Sequence, residues 1–231
     1  MSDERPPGHL AIPPGPGPWP GVIVIHEAYG LNDDIRAHAE RLARTGLLAF
    51  APDLQTGSSR LRCVMRSFRE LSARRGRSFA ELETARSWLT GRPDCTGRIG
   101  VIGFCIGGGF ALLAAAQSQY AAAAVNYGAV PKDAAEALRG VCPVVASYGG
   151  RDTSMRGAAA RLQEALTGLG VPHDVREYPE AGHGFINRHQ PLRIARIIAK
   201  AGFQQEAADD AWARIDAFFA EHLTTATDAR R

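Results

Sequence analysis

The sequence predicts an α/β fold, with one mostly parallel central sheet covered by helices on both faces. Two observations carry this. Short apolar runs alternate with amphipathic stretches along nearly the whole chain. The runs themselves, such as Val22-Ile23-Val24-Ile25 and Ile99-Gly100-Val101-Ile102, lack alternating polar residues, as expected for strands buried on both faces. Repeated β-α-β units of this kind pair strands in parallel through right-handed crossovers. A length of 231 residues suits one such domain, because two halves would each have a small core.

Residues 1–20 are a Pro-rich, irregular lead-in, with His9 to Ile12 as a short edge strand. Residues 21–223 form the domain, and 224–231 a frayed tail. The first buried strand is 22–25. Asn32 is the N-cap of the next helix, followed by Asp33 and Asp34 in its first turn. Ile35, Ala39 and Leu42 repeat at helical spacing, and Gly46 closes the element. Leu47 to Ala51 is a strand stopped by Pro52. Residues 53–77 are polar and Arg-rich, with a helix near 61–72, and Ser78 caps a helix running to Leu89. Then follow strand 99–102, helix 106–118, strand 122–126, a short helix near 133–138 and strand 144–148. Helix 155–168 ends at Gly168 or Gly170, strand 173–178 is the last, and a helix over 205–222 closes the domain.

Composition excludes several function classes. The chain is 45% hydrophobic and 22% charged, enough apolar side chain to order a globular core. A net charge of +3 is far from the cationic excess of a nucleic-acid binder. All but two of the 27 cations are Arg, a compositional bias that weakens any argument from a single Arg. The longest apolar stretch, Phe110 to Ala116, is too short for a membrane span, and the N-terminus has no signal-peptide core. Cysteines at 63, 95, 105 and 142 show no metal-type pairing and read as reduced thiols of a cytoplasmic protein.

Ligand sites in such folds lie at the carboxyl ends of strands, and the unusual residues fall there. After strand 99–102 comes Gly103-Phe104-Cys105-Ile106-Gly107, a nucleophile-elbow pattern with Cys in place of Ser. The nucleophile sits on a tight strand-to-helix turn. The residues two before and two after it must therefore lack side chains, so that strand and helix can approach. The helix N-terminus favours a thiolate at Cys105, and the Ile106 N–H is one oxyanion donor. Asp152 follows strand 144–148. His183, between Gly182 and Gly184, follows strand 173–178. Asp174 and Glu177 are alternative acids on the strand before that His. Nucleophile, acid and base thus occur in the chain order of the α/β-hydrolase fold. After strand 22–25, His26-Glu27-Ala28-Tyr29-Gly30 lacks the second His of a zinc motif, and no cofactor is expected. Ala28 is placed to give the second oxyanion N–H, with Glu27 near the nucleophile.

Five segments together resemble the dienelactone hydrolase family of α/β-hydrolases: VIVIHEAYGLND, LLAFAPDL, IGVIGFCIGGGF, YGGRDTSM and AGHGFIN. They run in order from residue 22 to about 187. The resemblance implies a triad of Cys105, Asp152 and His183, an oxyanion hole at Ile106 and Ala28, and contact of Glu27 with the resting thiol or the His–Cys pair. It implies hydrolysis of a small ester or lactone through an acyl-enzyme, with Arg residues holding a substrate carboxylate. Two departures are visible. The lead-in leaves little room for the family's opening hairpin, and the family's Arg after the His falls on Asn187, with Arg188 one place on. The other Arg comes from the segment around Arg62 and Arg66. Expected substrate-binding residues are therefore Tyr29, Arg62, Arg66, Asn187 and Arg188. The chain is expected to be a monomer or homodimer, with no nucleic-acid or membrane partner. Two rival readings are an amidotransferase-like Cys hydrolase and a non-catalytic binding module on the same scaffold.

Overall fold

The computed structural model describes residues 5–55, 60–188 and 199–224, apart from the side chain of Arg60. Seven strands form one sheet in the order β1-β3-β2-β4-β5-β6-β7. They are β1 (Gly8–Ala11), β2 (Trp19–Ile25), β3 (Leu48–Pro52), β4 (Cys95–Phe104), β5 (Ala122–Asn126), β6 (Val144–Gly149) and β7 (His173–Tyr178). β1 pairs antiparallel with β3, and every other pairing is parallel. The Pro-rich lead-in thus contributes an edge strand. β2 begins earlier than its β-branched run, with a register shift between Trp19 and Gly21 around Pro20.

Among the described residues the helices are α1 (Asp33–Arg44), α2 (Arg60–Ala73), α3 (Arg77–Thr90), α4 (Ile106–Gln117), α5 (Ala134–Ala137), α6 (Ala158–Gly168) and α7 (Gln205–Leu223). Successive side chains of a strand point to opposite faces, so each strand feeds two cores. Ile23, Ile25, Phe50 and Val101 pack with Leu82 and Leu89 of α3 and Phe110 of α4. Val22, Val24, Ile102 and Phe104 pack with Ile35 and Leu42 of α1 and Trp212 and Phe219 of α7. All four cysteines are free thiols. Among the described residues no helix is long and apolar enough to cross a membrane.

Two elements differ from the sequence reading for identifiable reasons. Ser78 does not cap α3. The helix starts at Arg77, and Glu70 of α2 accepts from the Arg77 and Ser78 N–H groups at 3.1 and 3.0 Å and from Ser78 Oγ at 2.5 Å. A carboxylate from a neighbouring helix does the work of an N-cap and complements the dipole. The stretch 155–168 is broken at Gly157, in the left-handed region at φ 72. A 3₁₀ turn (Thr153–Met155) precedes the break and α6 follows it.

Arg214 staples α7 to the far edge of the sheet. Its side chain is only 8% exposed. It donates to Asp174 Oδ2 and the Asp174 carbonyl, both at 2.7 Å, to the Ala146 carbonyl at 3.2 Å, and to Ser147 Oγ and Tyr178 OH. Arg214→Met keeps the aliphatic length but strands these acceptors. It is expected to cost about 3 kcal/mol, since lost partners of buried polar groups carry the full desolvation penalty. A melting curve should show a fall of roughly 6–12 °C for a chain of this size. An unchanged melting temperature would show that the staple is dispensable.

Candidate active site

The turn between β4 and α4 places Cys105 at φ 56, ψ −122, a region that non-glycine residues rarely occupy. The surroundings hold it there. The Cys105 N–H donates to the Asn126 carbonyl at 3.0 Å, and Asn126 Nδ2 returns a bond to the Gly103 carbonyl at 3.3 Å. The Cys105 carbonyl accepts from the Gly108 and Gly109 N–H groups at 3.0 and 3.3 Å. The glycines are required by space. A Cβ on Gly107 would lie 2.5 Å from the Ile25 and His26 carbonyl oxygens, and one on Gly108 would lie 2.8 Å from the Asn126 carbonyl oxygen.

His183 lies on the loop after β7. That loop is braced by the His183 N–H donating to the Ala199 carbonyl at 3.0 Å and the Gly202 N–H donating to the His183 carbonyl at 3.2 Å. Its Nδ1 lies 2.5 Å from Oδ2 of the buried Asp152. The other Asp152 oxygen accepts from Ser154 N–H at 2.9 Å and Ser154 Oγ at 2.5 Å. Both groups are displaced from their ordinary titration ranges. Burial opposes the charge on His183. Hydrogen bonds to Asp152 and Cys105, with the charges of both, outweigh it and lift the imidazolium to about 10. Burial likewise opposes the charge on Asp152, but bonds from His183 and Ser154 hold its carboxyl below the usual carboxylate range. Imidazole and carboxylate are thus hydrogen-bonded, and Cys105 lies close enough to the ring to raise its pKa.

The linkage has a definite sign. A raised imidazole pKa contributes stability that is complete below about pH 6.5, the unfolded value, and is lost as pH rises through about 10. Asp152, with a lowered pKa, contributes stability that is lost as pH falls through the carboxylate range. Asp152→Asn is therefore expected to lower the His183 pKa by about one unit or more. Nitrogen-detected NMR of the ring at pH 8 should show imidazolium in the wild type and a shift toward neutral imidazole in the variant. An identical titration in both would remove Asp152 as the source of the shift.

Tyr127 follows β5 in a left-handed conformation at φ 42. Its ring meets His183 edge-on at 5.1 Å. Burial, and then the charges of Glu27, Cys105 and Asp34, push its phenol well above the ordinary range, so it stays protonated. Glu27 itself is buried at the end of β2. Oε1 accepts from Asn32 Nδ2 at 3.2 Å and Oε2 from Asn187 Nδ2 at 2.9 Å. His26 stays neutral through burial. Its Nε2 accepts from the Leu54 N–H at 3.1 Å, so its Nδ1–H donates to the Glu27 carbonyl at 2.8 Å, a tautomer assigned from these partners. The helix-start residue Ile106 and the loop residues Glu27 and Ala28 line one small cavity, together with Val64 and Ser67 of α2.

The structure thus brings Cys105, Asp152, His183, Glu27, Ala28 and Ile106 to one end of the sheet. The expected substrate-binding residues are more scattered. Tyr29 is half-buried beside Ala28, and Arg62 is exposed on α2. Arg66 donates to the Leu54 carbonyl at 2.9 Å, with Nε 3.9 Å from Glu70. The Arg188 guanidinium stacks on Phe203 at 4.4 Å. Asn187 is buried against Glu27. Asn126, Tyr127, Asn32 and His38 were not among the expected site residues. The one signal for them in the sequence is polar character at a strand end or on an apolar helix face.

The sheet order and the sharp turn after β4 are those of an α/β-hydrolase. A solved Pyrococcus horikoshii acylaminoacyl peptidase shares the fold, with a TM-score of 0.73 over 95% of this chain and 40% of that one, at 14% identity. More narrowly, the chain belongs to the dienelactone hydrolase family, whose sequence profile matches residues 7–223. A Methylorubrum extorquens protein described as a "putative carboxymethylenebutenolidase" is 31% identical over 96% of this chain and 79% of its own length. The solved dienelactone hydrolase from Anabaena variabilis is 26% identical, with a TM-score of 0.65 over 94% of this chain and 92% of that one.

Proposed function

We propose that the protein hydrolyses small esters or lactones through a thioester acyl-enzyme on Cys105. The observation that carries this reading is the His183–Asp152 hydrogen bond of 2.5 Å, gathered with Cys105 at the ends of β7, β6 and β4. Cys105 Sγ adds to the carbonyl carbon as a thiolate beside the His183 imidazolium, whose raised pKa keeps the proton on the ring until the leaving group needs it. The tetrahedral oxyanion takes the N–H groups of Ile106 and Ala28. Collapse breaks the ester C–O bond, and His183 gives the proton to the leaving alcohol; in a lactone that alcohol stays tethered to the acyl group. A water deprotonated by the now neutral His183 then attacks the thioester, the C–S bond breaks, and the acid leaves as the thiolate and imidazolium are re-formed. Asp152 keeps the imidazole in one orientation throughout. A thiolate is both a good nucleophile and a good leaving group, which suits activated esters.

Mass spectrometry after rapid quench with an aryl ester tests this. A mass increase equal to the acyl group is expected on the peptide carrying Cys105. Turnover with the acyl group on another residue, or with no adduct in a single-turnover burst, would overturn the assignment.

A further inference from the structure

His38 lies on the buried face of α1, among Ile35, Ala39 and Leu42. A polar ring there needs a bonded partner, because an unpartnered buried group costs about 1–3 kcal/mol. Its partner comes from the other end of the chain. His38 Nε2 lies 2.9 Å from Asn187 Oδ1. The Asn187 amide is two-sided: its Nδ2 donates to Glu27 Oε2 at 2.9 Å, which leaves Oδ1 to accept. His38 therefore carries its proton on Nε2 and donates it. Phe104, the residue before Cys105, stacks on the imidazole at 4.6 Å and 25°, and Trp212 packs against it at 5.2 Å. The ring is gripped on its faces and points one N–H along a fixed line.

Asn187 lies four residues beyond His183, and its N–H donates to the Gly184 carbonyl at 3.0 Å. Glu27 is held from the other side by Asn32, whose Oδ1 also caps α1 through the Ile35 N–H at 3.0 Å. One helix thus supplies both ends of a clamp on a carboxylate that shares the Cys105 end of the sheet. We propose that His38 is a positioning residue: through Asn187 it fixes the Glu27 carboxylate and the far end of the His183 loop relative to Cys105. This rests on the hydrolase reading above. An apolar residue at position 38 would fill the same space but release the Asn187 amide to rotate, and Glu27 and the loop with it.

His38→Phe keeps an aromatic ring for the Phe104 stack and removes the donor; His38→Gln restores an N–H near the Nε2 position. Against an aryl ester, His38→Phe is expected to lower kcat about 10-fold with little change in KM, since small misplacements at a reacting centre are costly. His38→Gln should recover most of that loss. In a Glu27→Ala background His38→Phe should cost less than about twofold, because the effect travels through Glu27. The alkylation rate of Cys105 by iodoacetamide is read in parallel, and it should change in His38→Phe and recover in His38→Gln. That second readout needs no ester turnover: an inactive wild type would sink the proposed function while leaving the clamp testable. The proposal is overturned if His38→Phe behaves as wild type in both assays, if it costs as much without Glu27 as with it, or if Gln fails where Phe fails. Should His38→Phe not fold, Asn187→Leu breaks the same link and carries the same expectations.

Discussion

Cys105→Ala is expected to lower aryl-ester hydrolysis by about 10⁴-fold or more, with the melting temperature unchanged within a degree or two. The size follows from the chemistry: without Sγ no acyl-enzyme forms, and oxyanion donors alone leave a small residual rate. The unchanged stability follows from the turn. Cys105 is held at φ 56 by backbone bonds to Asn126, Gly108 and Gly109, none of which involves sulfur. Alanine has the same Cβ, so the strain at this residue is the same in the variant. The two outcomes must appear together. Loss of activity with a lower melting point would mean a disturbed turn rather than a missing nucleophile. Hydrolysis persisting at the wild-type rate would place the nucleophile elsewhere. Cys63, Cys95 and Cys142 serve as internal controls. Burial pushes the Cys142 thiol up to about 12, so it is poorly suited to compete for an electrophile at neutral pH.

The parts of this molecule that were legible in the sequence rest on local rules. The β-branched run at 22–25 and the apolar runs at 99–102 and 144–148 are interior strands of the sheet, buried on both faces, so their composition alone marks them. Asn32 caps α1 as read, through its bond to the Ile35 N–H. The Gly103 and Gly107 pair around Cys105 is a steric requirement written into the chain. What the sequence does not display depends on contacts between distant segments. Glu70 caps α3 from another helix, so Ser78, the obvious local candidate, is not the cap. His38 looks like a stray polar residue in an apolar stripe until Asn187, 149 positions away, arrives beside it. The Arg residues were ambiguous because composition gives no direction. Arg66 bonds to the Leu54 carbonyl and Arg188 stacks on Phe203, and neither contact follows from spacing.

Gly103→Ala is expected to be strongly destabilising, because the added methyl runs into backbone. The added Cβ would lie 2.0 Å from the Gly107 carbonyl oxygen, 2.3 Å from its carbon and 2.8 Å from the Gly108 nitrogen. All three atoms are backbone, so no side chain can rotate away. To reach ordinary contact, β4 and the first turn of α4 must separate by about 1.4 Å, and overpacking of this kind costs about 3 kcal/mol. α4 cannot move freely, because Gly107 already lies against the β2 carbonyls and Gly108 against β5. The melting temperature should fall by roughly 6–12 °C. Activity at 25 °C, where the variant is still folded, should fall by about 10²-fold, because the same separation shifts Cys105 relative to His183. Gly168→Ala is the matched control. That residue ends α6, and a methyl added there would meet nothing within 4 Å. There the same substitution should leave activity intact and raise stability by about 0.5–1 kcal/mol, since alanine is the better helix former. If the two variants melted alike, the close approach of strand and helix would not be what reserves position 103 for glycine.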